Sequence, residues 1–316
     1  MDPLTGLLDG PRARGAFLLR TVLDPPWSLR IRDRAPLSLM TMIRGTGWLV
    51  RDGEPPLRFA PGDVVIARGP DPYTVADEPG TAPQVIVEPG QRCTAPDGSE
   101  LTLPTVLGVR TWGHRTDGET VLLTGTYQLD GEISGRLLGA LPATLLVPDG
   151  PWNGTLVPLL NEEIVRDTPG QEVVLDRLLD LLLVAALRVW FAEAGAAAPG
   201  WYRALDDPVV GRALRGMQSD PAHPWTVATL AAHVGVSRAA LARRFTDLVG
   251  EPPMAFLTGW RLDLAADLLT EPDATVGSVA RKVGYGSGFA LSAAFKRVRG
   301  TSPQQYRAAQ VLAGAG

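Results

Sequence analysis

The chain has 316 residues, 45% of them hydrophobic, and a formal charge of −4. That length exceeds one ordinary core and suits two domains. The single cysteine, Cys93, excludes an intramolecular disulfide and a cysteine-built zinc site.

The first residues, MDPLTGLLDGPRARGAFLLR, have no basic leader followed by an apolar core and do not read as a secretory signal. Beyond them come LSLMTMIRGTGWLV, PLRFAPGDVVIARG, YTVA, PQVIVEPG and TVLLTGTYQLDG, short alternating runs broken by Gly, Pro and Asp. This rhythm predicts a β-sandwich or barrel. RGTGWLV followed by FAPGDVVIARGPDPYTV resembles a cupin barrel, over about residues 10–130. The resemblance raises a competing class, since many cupins are enzymes that hold iron, manganese or zinc with histidines and a carboxylate. This chain has only His114, His223 and His233, and after the PGD turn, where such cupins place a metal histidine, it has Tyr73. No metal site and no cofactor is therefore expected, and His114 reads as a loop residue.

Cys93 lies in PGQRCTAPDGS, whose composition predicts a surface loop, with Arg92 placed to stabilise a thiolate and lower its pKa. Two readings stand for it. One is an inert or half-buried thiol; the other is a redox sensor working through sulfenic acid, a mixed disulfide or a bridge between subunits.

Residues 170–195, GQEVVLDRLLDLLLVAALRVWFAEAG, predict a helix whose Asp176, Arg177, Asp180 and Arg188 form a narrow polar stripe. Asp180, Arg188 and Glu193 argue against a membrane span, which needs roughly 20 uncharged residues. From Leu181 to Leu187 the helix is apolar on all sides, which implies burial against more than one surface. One surface is the barrel or a neighbouring helix. The other is either more core or a second subunit, with Leu178, Leu182, Leu183 and Val189 as the candidate dimerisation positions. AEAGAAAPGW then reads as a linker.

The remainder differs in charge. Residues 1–205 carry 18 basic and 25 acidic side chains, whereas residues 206–316 carry 12 and 9, and from Ala274 onward six basic residues stand with no acidic one. Such an excess can face phosphate or simply water. A repeat separates these two readings. Aligning Ser237 with Ser287 gives a common pattern, Ser-x3-Leu-x3-Phe-x4-Gly-x2-Pro-x2-aromatic, through Leu241, Phe245, Gly250, Pro253 and Phe256, then Leu291, Phe295, Gly300, Pro303 and Tyr306. Every matched position is offset by 50, while LAAHVG (230–235) matches VARKVG (279–284) at 49, so the second turn holds one inserted residue.

Each copy predicts a helix capped by Thr226 or Thr275, a turn at Gly235 or Gly284, and a second helix capped by Ser237 or Ser287. Leu241 and Phe245, or Leu291 and Phe295, face inward. A helix-turn-helix of this form presents its second helix to the DNA major groove, although plain bundles contain similar hairpins. Between the copies, PMAFLTGWRLDLAADLL (253–269) predicts a connecting helix of 17 residues. At 1.5 Å per residue it spans about 25 Å, a rod able to hold two recognition helices about one DNA turn apart.

Residues from about 207 to 310, with VSRAALARRF, RLDLAADLL and VARKVGYGSGFALSAAFKRVRGTSPQQYR, resemble the AraC/XylS-type transcriptional regulator domain. The N-terminal half then resembles the cupin variant that precedes such domains. The resemblance implies that Arg238, Ala239, Ala242 and Arg243 face bases and neighbouring phosphates, with Arg243 as base reader because a guanidinium can bond guanine O6 and N7 together. Arg244 and Arg238 are expected on phosphate. In the second unit the outward positions are Gly288, Phe289, Ser292, Ala293 and Lys296, and nothing there forms a bidentate fork. Weaker base reading is expected, with Lys296, Arg297 and Arg299 on the backbone; Phe289 is either cap packing or a base contact.

The sequence thus predicts an α+β chain in three parts. These are a cupin-like sensing barrel over 1–150, a helical linker and dimerisation segment over 151–205, and an all-α double helix-turn-helix domain over 206–316. The function expected is a cytoplasmic, one-component transcriptional regulator, responsive to a small-molecule effector or to redox state. Its expected partners are promoter DNA, RNA polymerase and a second copy of itself, with no membrane. The competing reading is a metal-dependent cupin enzyme with a helical appendage.

Overall fold

The computed structural model describes residues 17–101, 106–127, 132–193 and 198–314. The start of the chain, read above for a leader, and residues 194–197 of the linker lie outside them. The described strands are β1 (Phe17–Leu23), β2 (Ser28–Ile31), β3 (Leu37–Arg44), β4 (Gly47–Val50), β5 (Leu57–Phe59), β6 (Val64–Arg68) and β7 (Tyr73–Ala76). They continue with β8 (Val85–Glu88), β9 (Arg92–Thr94), β10 (Val106–Gly108), β11 (Thr111–Gly113), β12 (Thr120–Tyr127) and β13 (Thr144–Val147).

These strands form two sheets, in the orders β10-β11-β1-β12-β3-β6-β13 and β5-β4-β7-β2-β8-β9. Pairing is antiparallel except for β1 with β11 and β2 with β8. Among the described strands none of one sheet is a hydrogen-bonded neighbour of one in the other, so the expected barrel is an open two-sheet sandwich. Alternation supplies its core: Met40 and Met42 from β3 meet Leu29, Leu49, Tyr73 and Val75 from the facing sheet.

Helix α1 (Glu132–Ala140) comes between β12 and β13 in the chain; α2 (Leu156–Glu163) and α3 (Gln171–Glu193) follow β13. The chain divides into two compact units. One takes the described residues up to 129 together with Leu141–Glu193, the other those of 130–140 together with those from 194 on. The segment 151–205 is therefore no separate linker: α2 and α3 belong with the sheets. The reason is burial. The Tyr127 hydroxyl of β12 donates to Leu179 O of α3 at 2.8 Å, and a Cβ at Gly125 would come within 2.6 Å of Leu179 Cδ1. Leu175, Leu179, Leu182, Leu183 and Leu187 are all buried. The all-round apolar stretch is thus core on most of its circumference.

The second unit holds α4 (Gly200–Arg203), α5 (Val210–Ser219), α6 (Val227–Val234), α7 (Arg238–Val249), α8 (Pro253–Leu269), α9 (Val276–Lys282), α10 (Gly288–Arg299) and α11 (Pro303–Gly314). The 17-residue α8 matches the expected connector and explains its own composition. Phe256, Leu257 and Trp260 close one core with α5, α6 and α7, while Leu262, Ala265, Ala266 and Leu269 close another with α9 and α10. A helix shared by two cores must be apolar nearly all round. Among the described residues no helix is long and apolar enough to cross a membrane.

Candidate nucleic-acid interface

The duplicated template folds twice by the same local chemistry. Thr226 Oγ1 accepts from Thr229 N at 3.1 Å, and Thr229 Oγ1 accepts in return from Thr226 N at 2.8 Å, a reciprocal cap on α6. Thr275 and Ser278 repeat it on α9, at 3.1 and 3.0 Å. Ser237 caps α7 by accepting from Ala240 N at 3.2 Å, and Ser287 caps α10 by accepting from Ala290 N at 3.1 Å. Leu241, Phe245, Leu291 and Phe295 are fully buried. Phe245 meets Phe256 edge-to-face at 5.9 Å, and Phe295 meets Tyr306 likewise at 5.5 Å, the same pair fifty positions on.

The turns differ by the inserted residue. Gly235 (φ +76°) is followed by Val236 and Ser237, Gly284 (φ +83°) by Tyr285, Gly286 and Ser287. Both glycines sit in the left-handed region, where a side chain is strained. At Gly284 a Cβ would also stand 2.8 Å from Ala222 Cα. Tyr285 fills the longer turn: its N–H donates to Ala280 O at 2.8 Å, and its ring packs on the second core, 6.0 Å from the Arg261 guanidinium.

What remains outside on α7 is Arg238, Ala239 and Arg243, all exposed, with Ala242 half-buried. On α10, Ala293, Lys296 and Arg297 are exposed, and Phe289 is 84% exposed. The cap-packing reading of Phe289 therefore fails. Gly288 and Ser292 are half-buried, and Ser292 Oγ donates back to Gly288 O at 2.8 Å.

Two arginines expected on phosphate have partners inside the unit. Arg299 Nη2 donates to Asp263 Oδ1 at 2.6 Å, and its guanidinium stacks 5.4 Å from Phe295 and 5.9 Å from Tyr306. Its side chain is only 17% exposed. Arg244 donates twice to Asp207 Oδ2, at 2.9 and 2.6 Å, while Asp207 Oδ1 accepts from Val209 N and Val210 N. Partial burial pushes the Asp207 carboxyl up, but the backbone N–H groups and the guanidinium outweigh it and hold the pKa below the ordinary value. Both pairs join the end or middle of a recognition helix to the helices behind it.

A family model described as a helix-turn-helix domain matches residues 230–309, and one described as cupin matches residues 2–192. An AraC-like transcription regulator of Streptomyces lividans is 34% identical over 312 residues, covering 97% of this chain and 98% of its own. The chain belongs to the AraC family of transcription regulators. A second AraC-like regulator, from Streptomyces antibioticus, is 32% identical over the same shares of both chains. Among solved structures, the AdpA DNA-binding domain in complex with a target DNA is 36% identical, covering 33% of this chain and 93% of its own, with a TM-score of 0.31.

In this AraC-family regulator the histidines are scattered. The His114 imidazole accepts from Asp24 N at 3.2 Å beside β11, while His223 and His233 flank Trp225 at 4.3 and 5.3 Å. Cys93 is not in a loop: it is the middle residue of β9, half-buried, with its Sγ 3.9 Å from Gln91 O. Burial pushes its thiol pKa up, against the lowering expected from Arg92. Successive strand residues point to opposite faces, so the exposed Arg92 side chain stands away from the thiol. Of the candidate dimerisation positions, Leu182 and Leu183 are 0% and 1% exposed and belong to the core, while Leu178 and Val189 are half-buried.

Proposed function

We propose that this regulator reads its operator with both helix-turn-helix units, α7 supplying base specificity and α10 mainly affinity. The observation that carries the reading is the outward face of the two recognition helices, where Arg238, Arg243, Lys296 and Arg297 are exposed and α10 has no acidic residue. Arg243 takes the bidentate guanine role and Arg238 a phosphate. Ala239 and Ala242 admit the helix close to thymine methyls, and Gly288, Ser292 and Ala293 do the same for α10. Phe289 meets the bases at the start of α10. Lys296 and Arg297 hold the backbone, and Arg244 and Arg299 leave the contact set because their charge is matched within the protein.

The sandwich unit senses a small effector, and the regulator acts in the cytoplasm on RNA polymerase at the promoter. It works as a homodimer. The exposed apolar residues of α3 suit this: Val174 is 44% and Leu181 51% exposed, and with the half-buried Leu178 they recur at spacings of four and three, the seam of paired helices. The named relatives are regulators, which favours this reading over a cupin enzyme.

The test is to sequence the genomic fragments retained by purified protein and to footprint the recovered site. One or a few recurring sites with two protected major-groove segments per protomer are expected. Retention without sequence preference would refute the reading.

A further inference from the structure

Between the two sheets, beside Met40, lies a cavity of about 90 Å³. Leu19, Ile31, Val75, Val85 and Leu122 give it apolar walls from both sheets. Asp33 is the one charged side chain in the lining, and its Oδ1 already accepts from Ala35 N at 3.0 Å. Such walls disfavour an anionic guest, which would lose its hydration and meet no positive charge in the lining, and the Ala35 N–H already holds the one carboxylate.

One wall residue is out of balance. Trp112, in β11, is 9% exposed, and its indole Nε1–H is buried without a hydrogen-bond acceptor. A buried donor left unmade costs about 1–3 kcal/mol, so an unpaired N–H in a cavity wall favours a guest carrying an acceptor. Tyr73, also buried in the lining, is already engaged with Ser38, and among the lining residues only Trp112 has a buried side-chain N or O atom without a partner.

We infer that this cavity binds a small neutral apolar molecule with one hydrogen-bond acceptor, such as a ketone or ether oxygen, which accepts from Trp112 Nε1. The inference gives a chemical class to the effector and rests on the effector reading only for its regulatory meaning. Binding itself is independent of DNA. At about 90 Å³ the space is below the roughly 150 Å³ of an engineered cavity that accepts benzene, so the guest is compact, or it spreads the half-buried β8 as it enters.

The test compares cyclohexanone with methylenecyclohexane, which has the same shape with a CH2 group in place of the oxygen. Both are titrated into the full-length protein without DNA, followed by the indole N–H resonances in a 15N spectrum, with Trp112 assigned from its loss in Trp112→Phe. Cyclohexanone should move the Trp112 resonance and bind about tenfold more tightly, and Trp112→Phe should bring the two to within about twofold. No binding by either, equal affinities in the wild type, or a preference that survives in Trp112→Phe overturns the inference. Should Trp112→Phe fail to fold, the wild-type affinity ratio decides alone. Failure to bind DNA in a separate assay would count against the regulator reading and leave this one untouched.

Discussion

Arg299, the last residue of α10, donates to Asp263 of α8 at 2.6 Å, while Arg136 of α1 reaches the other oxygen of the same carboxylate at 3.0 Å. One acidic side chain on the connector thus fixes the end of the second recognition helix and is itself held from the other side.

Arg299 is therefore a structural cation, and it should separate from its neighbours on measurement. Arg299→Ala should lower unfolding free energy by about 1–3 kcal/mol and leave the salt dependence of DNA binding within half a unit of wild type. Lys296→Ala and Arg297→Ala should leave stability unchanged and lower the salt slope by about one each. Denaturation curves and affinities at four salt concentrations distinguish them; a full-unit drop in slope for Arg299→Ala would return it to the DNA contacts.

Arg243 and Phe289 should show the division of labour between the units. Arg243→Ala should cost about 1–3 kcal/mol on the best site and relax preference at one base position, which a randomised-site selection will reveal. Phe289→Ala should weaken binding by about 1–3 kcal/mol with no loss of stability, since its ring is 84% exposed in the free protein. Equal loss on specific and random DNA for Arg243→Ala would end its assignment as a reader.

Adjacent leucines of α3 should behave oppositely. Leu182→Glu places an unpaired carboxylate in a fully buried position and should destabilise by more than about 4 kcal/mol. Leu181→Glu, at a position 51% exposed, should fold normally and sediment as a monomer, against the dimer proposed for the wild type. A folded Leu181→Glu protein with wild-type mass in solution would place the dimer contact elsewhere.

Cys93 should be a slow thiol. Burial raises its pKa, so the folded protein keeps the proton in a pH range where the unfolded chain has lost it. The sign follows: any stability that the protonated thiol contributes is complete below the unfolded pKa and declines as pH rises towards the folded one. Because Cys93 is the single cysteine, alkylation by iodoacetamide reports it alone. The rate should have its midpoint at higher pH in native than in denatured protein, and a native midpoint at or below the denatured one would restore the sensor reading.

The helix-turn-helix half was legible because its signals are local. A capping hydroxyl, apolar residues four apart and a turn glycine act within one or two helical turns, and the fifty-residue repetition displayed them twice. The intramolecular pairing of Arg299 was readable too: Arg299 follows Phe295 by four, so it shares the face of the buried ring. Cys93 had a comparable signal, since Arg92 and Cys93 as strand neighbours must point apart. The role of α3 was not legible, because the strand that lies against its Leu179 is β12, some fifty residues earlier in sequence, and one apolar helix face does not reveal whether a sheet or another subunit lies against it. The strand rhythm allowed a sandwich or a barrel, and the choice between them was not legible for a similar reason, since closure depends on long-range pairing of edge strands.

Helix α1 bears on how such genes can be rearranged. It is encoded between two strands of the sandwich, yet its Arg136 sits on the connector, paired with Asp263 and stacked 5.1 Å from the Phe256 ring. The folded DNA-reading unit is therefore not one uninterrupted stretch of coding sequence. A recombination event that exchanged everything after residue 197 for the reading half of another regulator would leave behind an arginine shaped for a carboxylate and a ring it no longer meets. Hybrids made at that boundary should inherit the new specificity with a loosened connector, whereas hybrids that also exchange residues 132–140 should regain its rigidity.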